Sequence, residues 1–273
     1  MFFFPLRDEN PTKAKPYVTW AIIALCAMVF MWQLGLGEGG REAILSYGVT
    51  PSALLGGEPL SQGLDRIPAS WTVLTSMFMH GGFMHFAGNM LYLWIFGDNV
   101  EDAVGTRGRY IALYLVCGTA AALAQSLVDP QSDIPMIGAS GAIAGMLGAY
   151  LMLYPRANIQ CLVGFFIFFR VVNIPAFLVL SVWIGLQFLN LGQSGSGVAY
   201  VAHIGGFLAG MALISFFKKP GVNLFAAANS KPFHVVKSVH SKSHIPSMVR
   251  RETDTQPPRE RPNQRQKRHP WDD

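Results

Sequence analysis

Charge is what this sequence most lacks. Only 14% of its 273 residues are Asp, Glu, Lys or Arg, where a soluble domain carries about 25%. Apolar residues make up 51%, and mean hydropathy is +0.31. So little charge cannot cover a water-soluble surface of this size, so the chain reads as membranous. Twelve of the 21 Lys and Arg fall within residues 218–273, so the pI near 9.2 describes a tail. That tail has no aromatic interleaving and no binding module, which argues against nucleic acid as a partner. Cysteine is scarce as well. Cys26, Cys117 and Cys161 are odd in number and form no C-x-x-C pair, which excludes a disulfide framework or a cysteine zinc site. A cleavable leader is also missing: Arg7, Lys13 and Lys15 precede a long apolar run with no A-x-A site after it. That run is expected to remain as an anchor.

What the chain does have is long apolar runs. A membrane helix needs about 20 mostly apolar residues, and six stretches qualify: 17–36, 81–100, 110–127, 138–154, 174–191 and 199–217. The expected fold class is an all-α membrane protein, a six-transmembrane-helix bundle over residues 17–218. Residues 1–16 form a cytoplasmic N-terminal segment and 219–273 a basic, disordered cytoplasmic tail. The run 159–169, "IQCLVGFFIFF", is too short to span and is expected to be interfacial or re-entrant. Arg7, Lys13, Lys15, Arg107, Arg109, Arg156, Arg170 and the tail then lie inside, against only Arg41 and Arg66 outside. This positive-inside pattern places both termini in the cytoplasm of a multi-pass cell-membrane protein. The first outer connection, 37–80, is long, and long connections tend to be functional.

Polar groups within spans are costly and mark function. Four of the seven histidines lie in the tail; the apolar part keeps His80, His85 and His203, with Asn89 and Ser140 beside them. The second, fourth and sixth spans all run from outside to inside, so His85, Asn89, Ser140 and His203 should sit at one depth in the outer half of the membrane. His85 and Asn89, at i and i+4, share a helix face. A serine beside a histidine, with hydrogen-bond donors near, is the minimal set for acyl transfer. Ser140 at a helix start gains free backbone N–H groups, and Gly138 and Gly141 leave room for a substrate backbone. With no Asp placed to orient His203, the natural form is a Ser–His dyad. Gly138-Ala139-Ser140-Gly141-Ala142 lacks a preceding strand, unlike an α/β-hydrolase elbow. Ala199, His203, Gly206 and Gly210 make a small-residue stripe, expected to pack on Gly141, Gly145 and Gly148 of the fourth span.

"GASGA" around Ser140, "AHIGGFLAG" around His203 and "MHGGFMHFAGNMLYLWIFGDNVED" in the second span together resemble the rhomboid family of intramembrane serine proteases. The resemblance covers about residues 15–218. It implies a six-helix bundle that cleaves transmembrane segments of client membrane proteins near their outer ends, without a cofactor or metal. Ser140 is then the nucleophile and His203 the general base, with His85 and Asn89 on the oxyanion side; Gly138 joins the substrate side on the residue reading above, as the small neighbour of Ser140. Trp71 matches a first-loop tryptophan, but Thr72 stands where an arginine is common. Ala144 replaces an aromatic often found four residues after the nucleophile, leaving the His203 ring without that neighbour.

His80 is expected to be structural, holding the first loop. Glu101 and Asp102, beside Arg107 and Arg109, read as a solvated ion cluster. A histidine-based metal or proton transporter would want a carboxylate on the pathway, and Asp98 and Glu101 lie too near the inner end. A non-catalytic rhomboid-like client-binding protein or chaperone is the alternative function; absence of Ser140 or His203 would be its signature, and both are present.

Overall fold

The computed structural model describes residues 2–56, 63–165, 168–191, 198–227, 232, 233 and 235. Residues Met1–Lys237 form one compact unit. The second, Ser238–Asp273, lies outside the described residues, and with it most of the tail expected to be disordered.

Among the described residues the helices are α1 (Tyr17–Gly35), α2 (Gly40–Tyr47), α3 (Pro51–Leu55), α4 (Ala69–Thr75), α5 (Phe83–Val104), α6 (Arg107–Val128), α7 (Ser140–Leu153), α8 (Ala176–Leu189) and α9 (Tyr200–Phe217). The chain is a mostly helical membrane protein. Three helices, α1, α6 and α9, are long and apolar enough to cross a bilayer. The 22-residue α5 is as long as α6 but carries Asp98, Glu101 and Asp102 toward its end. At 14 residues each, α7 and α8 reach only about 21 Å against a hydrocarbon core of about 30 Å. The first connection holds α2, α3 and α4.

The expectation of an all-α chain needs correction. Strands β1 (Phe2–Asp8), β2 (Asn158–Phe165) and β3 (Phe168–Pro175) form an antiparallel sheet in the order β1-β2-β3. The described residues of 159–169 belong to the paired strands β2 and β3, and residues 2–8 supply the third strand of the sheet. The physical reason is composition: both eight-residue segments are rich in Val, Ile and Phe, which favour a pleated, half-buried surface. Asn158, Ile159, Gln160 and Cys161 are all buried, so both faces of this end of β2 are covered. Pro5 sits in an edge strand, where its missing N–H is tolerated. All three cysteines are free and buried.

The core lies between α7 and α9. A Cβ on Gly206 would run into the carbonyl oxygen of Gly141, one on Gly210 into that of Gly145, and one on Gly148 into that of Phe207. The stripe expected from the sequence is thus a backbone-to-backbone contact, which only glycine permits. Gly118 on α6 and Gly141 on α7 instead make room for side chains, Met77 and Ala142 against the first and Ala121 against the second.

The helix end opposite Ser140 is stitched by polar groups, and here the solvated ion cluster gives way to a cap. Glu101 accepts hydrogen bonds from Val18 N (2.9 Å), Thr19 N (2.8 Å) and Thr19 Oγ1 (2.8 Å). It thereby satisfies amides at the start of α1, where Pro16 offers no side-chain cap. A carboxylate is also favoured at that positive helix end. Asp102 pairs with Lys219 at 3.0 Å, Arg107 lies 5.3 Å from the Tyr17 ring centroid, and Arg109 donates to Phe216 O. Asp8 of β1 accepts from Tyr150 Oη on α7 (2.9 Å) and Asn99 Nδ2 on α5 (2.6 Å). Beyond α9 the chain returns along the same end: Phe225 N and Ala226 N donate to the carbonyls of Met152 and Leu153, both at 2.8 Å.

Candidate active site

Ser140 opens α7 as its first helical residue. The amides of the first turn have no partner within the helix, so Ser140 stands among free N–H donors at the positive end of α7. The residues before it are fixed by the first connection. Val49 and Met136 exchange both backbone hydrogen bonds (2.9 and 2.7 Å), Ser52 Oγ donates to Asp133 Oδ1 at 2.7 Å, and Gly138 N donates to Ser76 O at 2.9 Å. Gly138 has φ +130°, a conformation that glycine adopts freely. Among the described residues, the element before α7 is α6, and no strand leads directly into Ser140.

From α9, the half-buried His203 points its Nε2 at Ser140 Oγ, 2.8 Å away. The glycine contacts between α7 and α9 allow this reach, because helices separated by ordinary side chains would hold the two groups apart. The other ring nitrogen, Nδ1, lies 2.8 Å from Gln187 Oε1 on α8. The Trp183 ring, one turn earlier on α8, lies against the imidazole with centroids 5.8 Å apart and planes at 35°.

His85 reaches the site from the start of α5. The point where Gly138 would carry a Cβ lies 2.8 Å from His85 Nε2 and 3.4 Å from Ser140 Oγ. A small oxygen could therefore sit between the serine and an imidazole donor. Gly81 N points at His85 Nδ1 over a long 3.4 Å; the tautomer in which Nδ1 accepts that bond carries its proton on Nε2, facing that space. Asn89 is one turn deeper and buried; its Nδ2 donates to the carbonyl of His85 at 2.9 Å. Of the five residues expected at the site, Ser140, His203, His85 and Gly138 converge, and Asn89 braces the helix turn that carries His85. Gln187 and Trp183 were not anticipated. A lone amide in the run "AFLVLSVWIGLQFL" was the available signal, since a polar group in an apolar helix asks for a partner.

His80 holds the first connection to α1. It is 2% exposed, and its backbone pairs with the Gln33 amide in both directions, at 3.0 and 3.2 Å. Trp71 is exposed on α4, and the neighbouring Thr72 donates only to Ala69 O, within its own helix. Among the described residues no three His, Cys, Asp or Glu side chains cluster in a way that could hold a metal ion.

Residues 68–220 match the Rhomboid domain, a stretch that includes Ser140, His203, His85, Asn89 and Gly138. The chain belongs to the rhomboid family. It is 31% identical over 199 residues to the rhomboid protease GluP of Bacillus subtilis, covering 72% of this chain and 34% of that protein. It is 32% identical over 143 residues to RHOMBOID-like protein 5 of Arabidopsis thaliana, covering 52% of this chain and 42% of that one. Against the rhomboid protease GlpG of Klebsiella pneumoniae it is 26% identical over 216 residues, 78% of this chain and 65% of that protein. This rhomboid thus spans between a third and two thirds of the length of these relatives. Its site differs from the expected one in the aromatic support of His203, which comes from Trp183 on α8 while Ala144 on α7 is buried and small.

Proposed function

We propose that this rhomboid is an intramembrane serine endopeptidase that cleaves transmembrane segments of client membrane proteins near their outer ends. The observation that carries the reading is the 2.8 Å contact between Ser140 Oγ and His203 Nε2. In this reading α1, α5, α6, α7, α8 and α9 are the six spans, both termini lie in the cytoplasm, and the protein sits in the cell membrane. The shortness of α7 then has a purpose. The 22-residue α6 reaches the outer face, residues 129–139 turn back inward, and α7 begins below the surface with Ser140 at its tip. Water reaches the serine from outside, while the site stays at the depth of a client helix.

Ser140 attacks a client carbonyl as His203 Nε2 takes the hydroxyl proton. The oxyanion forms in the space beside Gly138, facing His85 Nε2 and the first-turn amides of α7. His203 then delivers its proton to the leaving amine, and water resolves the acyl-enzyme by the same route in reverse. A client helix enters from the lipid past α5 and α8. It must unwind first, because a helix keeps its carbonyls in its own hydrogen bonds. A small cavity beside Ser140, lined by Gly138, Met136, Ala199 and Ala202 among others, favours a small side chain at the cut.

The test is cleavage of a single-span reporter in liposomes by wild type, Ser140→Ala and His203→Ala. Each substitution should lower the rate by at least about 10³-fold, with a chelator leaving wild type unchanged. Cleavage by Ser140→Ala at the wild-type rate, or loss only with chelator, would overturn the dyad.

A further inference from the structure

Resting on the proposed Ser140–His203 dyad, we infer that Gln187 is the positioning residue that sets which nitrogen of His203 carries the proton, with Trp183 holding the plane of the ring. The argument begins with the amide of Gln187. Its Nε2 donates to the carbonyl of Trp183, one turn back on α8, at 3.1 Å. That bond fixes which way the amide faces, so the atom presented to His203 Nδ1 at 2.8 Å is the carbonyl oxygen Oε1. A carbonyl oxygen only accepts, so Nδ1 must be the protonated nitrogen. The lone pair is then on Nε2, aimed at the Ser140 hydroxyl 2.8 Å away. The opposite tautomer would leave two acceptors facing each other at Nδ1 and no base beside the serine.

The neighbours support this. Gln187 is 8% exposed and the only amide in α8, so its polar group stands in an apolar setting where it needs partners. Trp183 lies against His203 on one side and stacks on Phe207, with centroids 6.1 Å apart, on the other. His203 and Phe207 are one turn apart on α9, so the indole bridges both and limits rotation of the imidazole about its χ2. Ala144 could supply neither contact. A neutral acceptor does here the orienting work that a buried carboxylate does in a three-residue arrangement, without placing an ionised group in the membrane. The support comes from α8, whereas Ser140 and His203 sit on the glycine-welded pair α7 and α9.

The experiment compares full-length wild type, Gln187→Met and Gln187→Glu in liposomes with the single-span reporter. Methionine has similar length and no strong acceptor; glutamate restores a side-chain oxygen acceptor. Gln187→Met should lower kcat by about 10- to 100-fold, the scale of a misplaced catalytic group, with KM within about twofold. Gln187→Glu should recover most of that loss. In ¹⁵N-histidine spectra, wild-type His203 should show Nδ1 protonated and Nε2 bare, and Gln187→Met a mixture of tautomers. Wild-type kcat in Gln187→Met, equal loss in the Met and Glu variants, or a wild-type ring protonated at Nε2 would overturn the assignment. Those results with Ser140→Ala still inactive reject the role of Gln187 alone. Cleavage that survives Ser140→Ala rejects the dyad and this inference with it.

Discussion

Gly138 and His85 are in contact across a space that only glycine leaves open. A Cβ on Gly138 would stand 2.8 Å from both Cε1 and Nε2 of the imidazole, and the +130° φ disfavours any side chain there. The proposed chemistry uses this space for the oxyanion.

Gly138→Ala should therefore displace His85 and close that space. The expected result is a fall in kcat of about 10²-fold, the scale of losing one oxyanion donor. Measured beside it, thermal stability should change far less. Full activity in this variant would mean that the oxyanion forms elsewhere.

The contact between α7 and α9 should behave as a weld. Gly206→Ala puts a methyl into the carbonyl of Gly141, an overpacking that costs about 1–3 kcal/mol. It also pushes His203 away from Ser140, so cleavage should drop along with the melting temperature. Gly185→Ala on α8, where a Cβ would meet nothing within 4 Å, is the control and should alter neither.

Glu101 is expected to matter for stability rather than for chemistry. Glu101→Ala removes the acceptor of three hydrogen bonds at the start of α1 and should destabilise the fold by about 1–3 kcal/mol. Glu101→Gln keeps one acceptor oxygen and should lose less. Denaturation in detergent separates the two, and kcat of the folded fraction should stay near wild type.

Acidity should tighten the seat of the N-terminal strand. Burial, and the negative Asp98 nearby, push the carboxyl of Asp8 from 3.8 up to about 7, against the opposing effect of the Tyr150 hydrogen bond. Between those limits the docked strand holds a proton that the free carboxyl has released, so docking weakens as pH rises. Its contribution is complete below pH 3.8 and gone above about pH 7. Hydrogen exchange of the β1 amides, corrected for intrinsic rates, should show greater protection at about pH 5 than at about pH 8. Asp8→Asn should flatten the difference. Equal protection in wild type at both values would reject the effect.

The apolar helices and the meeting of Ser140 with His203 were legible because each rests on local chemistry. Long apolar runs have few alternatives in a membrane, and a glycine stripe names its own close partner. The sheet was not legible in this way. "IQCLVGFFIFF" is equally apolar as a strand or as a buried helix segment, and its third strand lies some 150 residues away in sequence. The partners of Glu101 were illegible for a related reason. Its neighbours in sequence are cations, but its partners in space are amides of α1.

By itself, the sequence determined where the apolar segments lie, which few polar side chains they contain, and which helix faces are small enough to touch. These follow from hydrophobicity and side-chain size, which belong to single residues and their helical spacing. Tertiary structure alone decided what surrounds those polar groups: that Trp183 lies against the His203 ring, that Gln187 meets Nδ1 of His203, and that Gly138 lies against His85. Each depends on how three or more helices converge. Hydrogen bonds and ring contacts act over a few ångströms, so only the packed positions of the helices could select them.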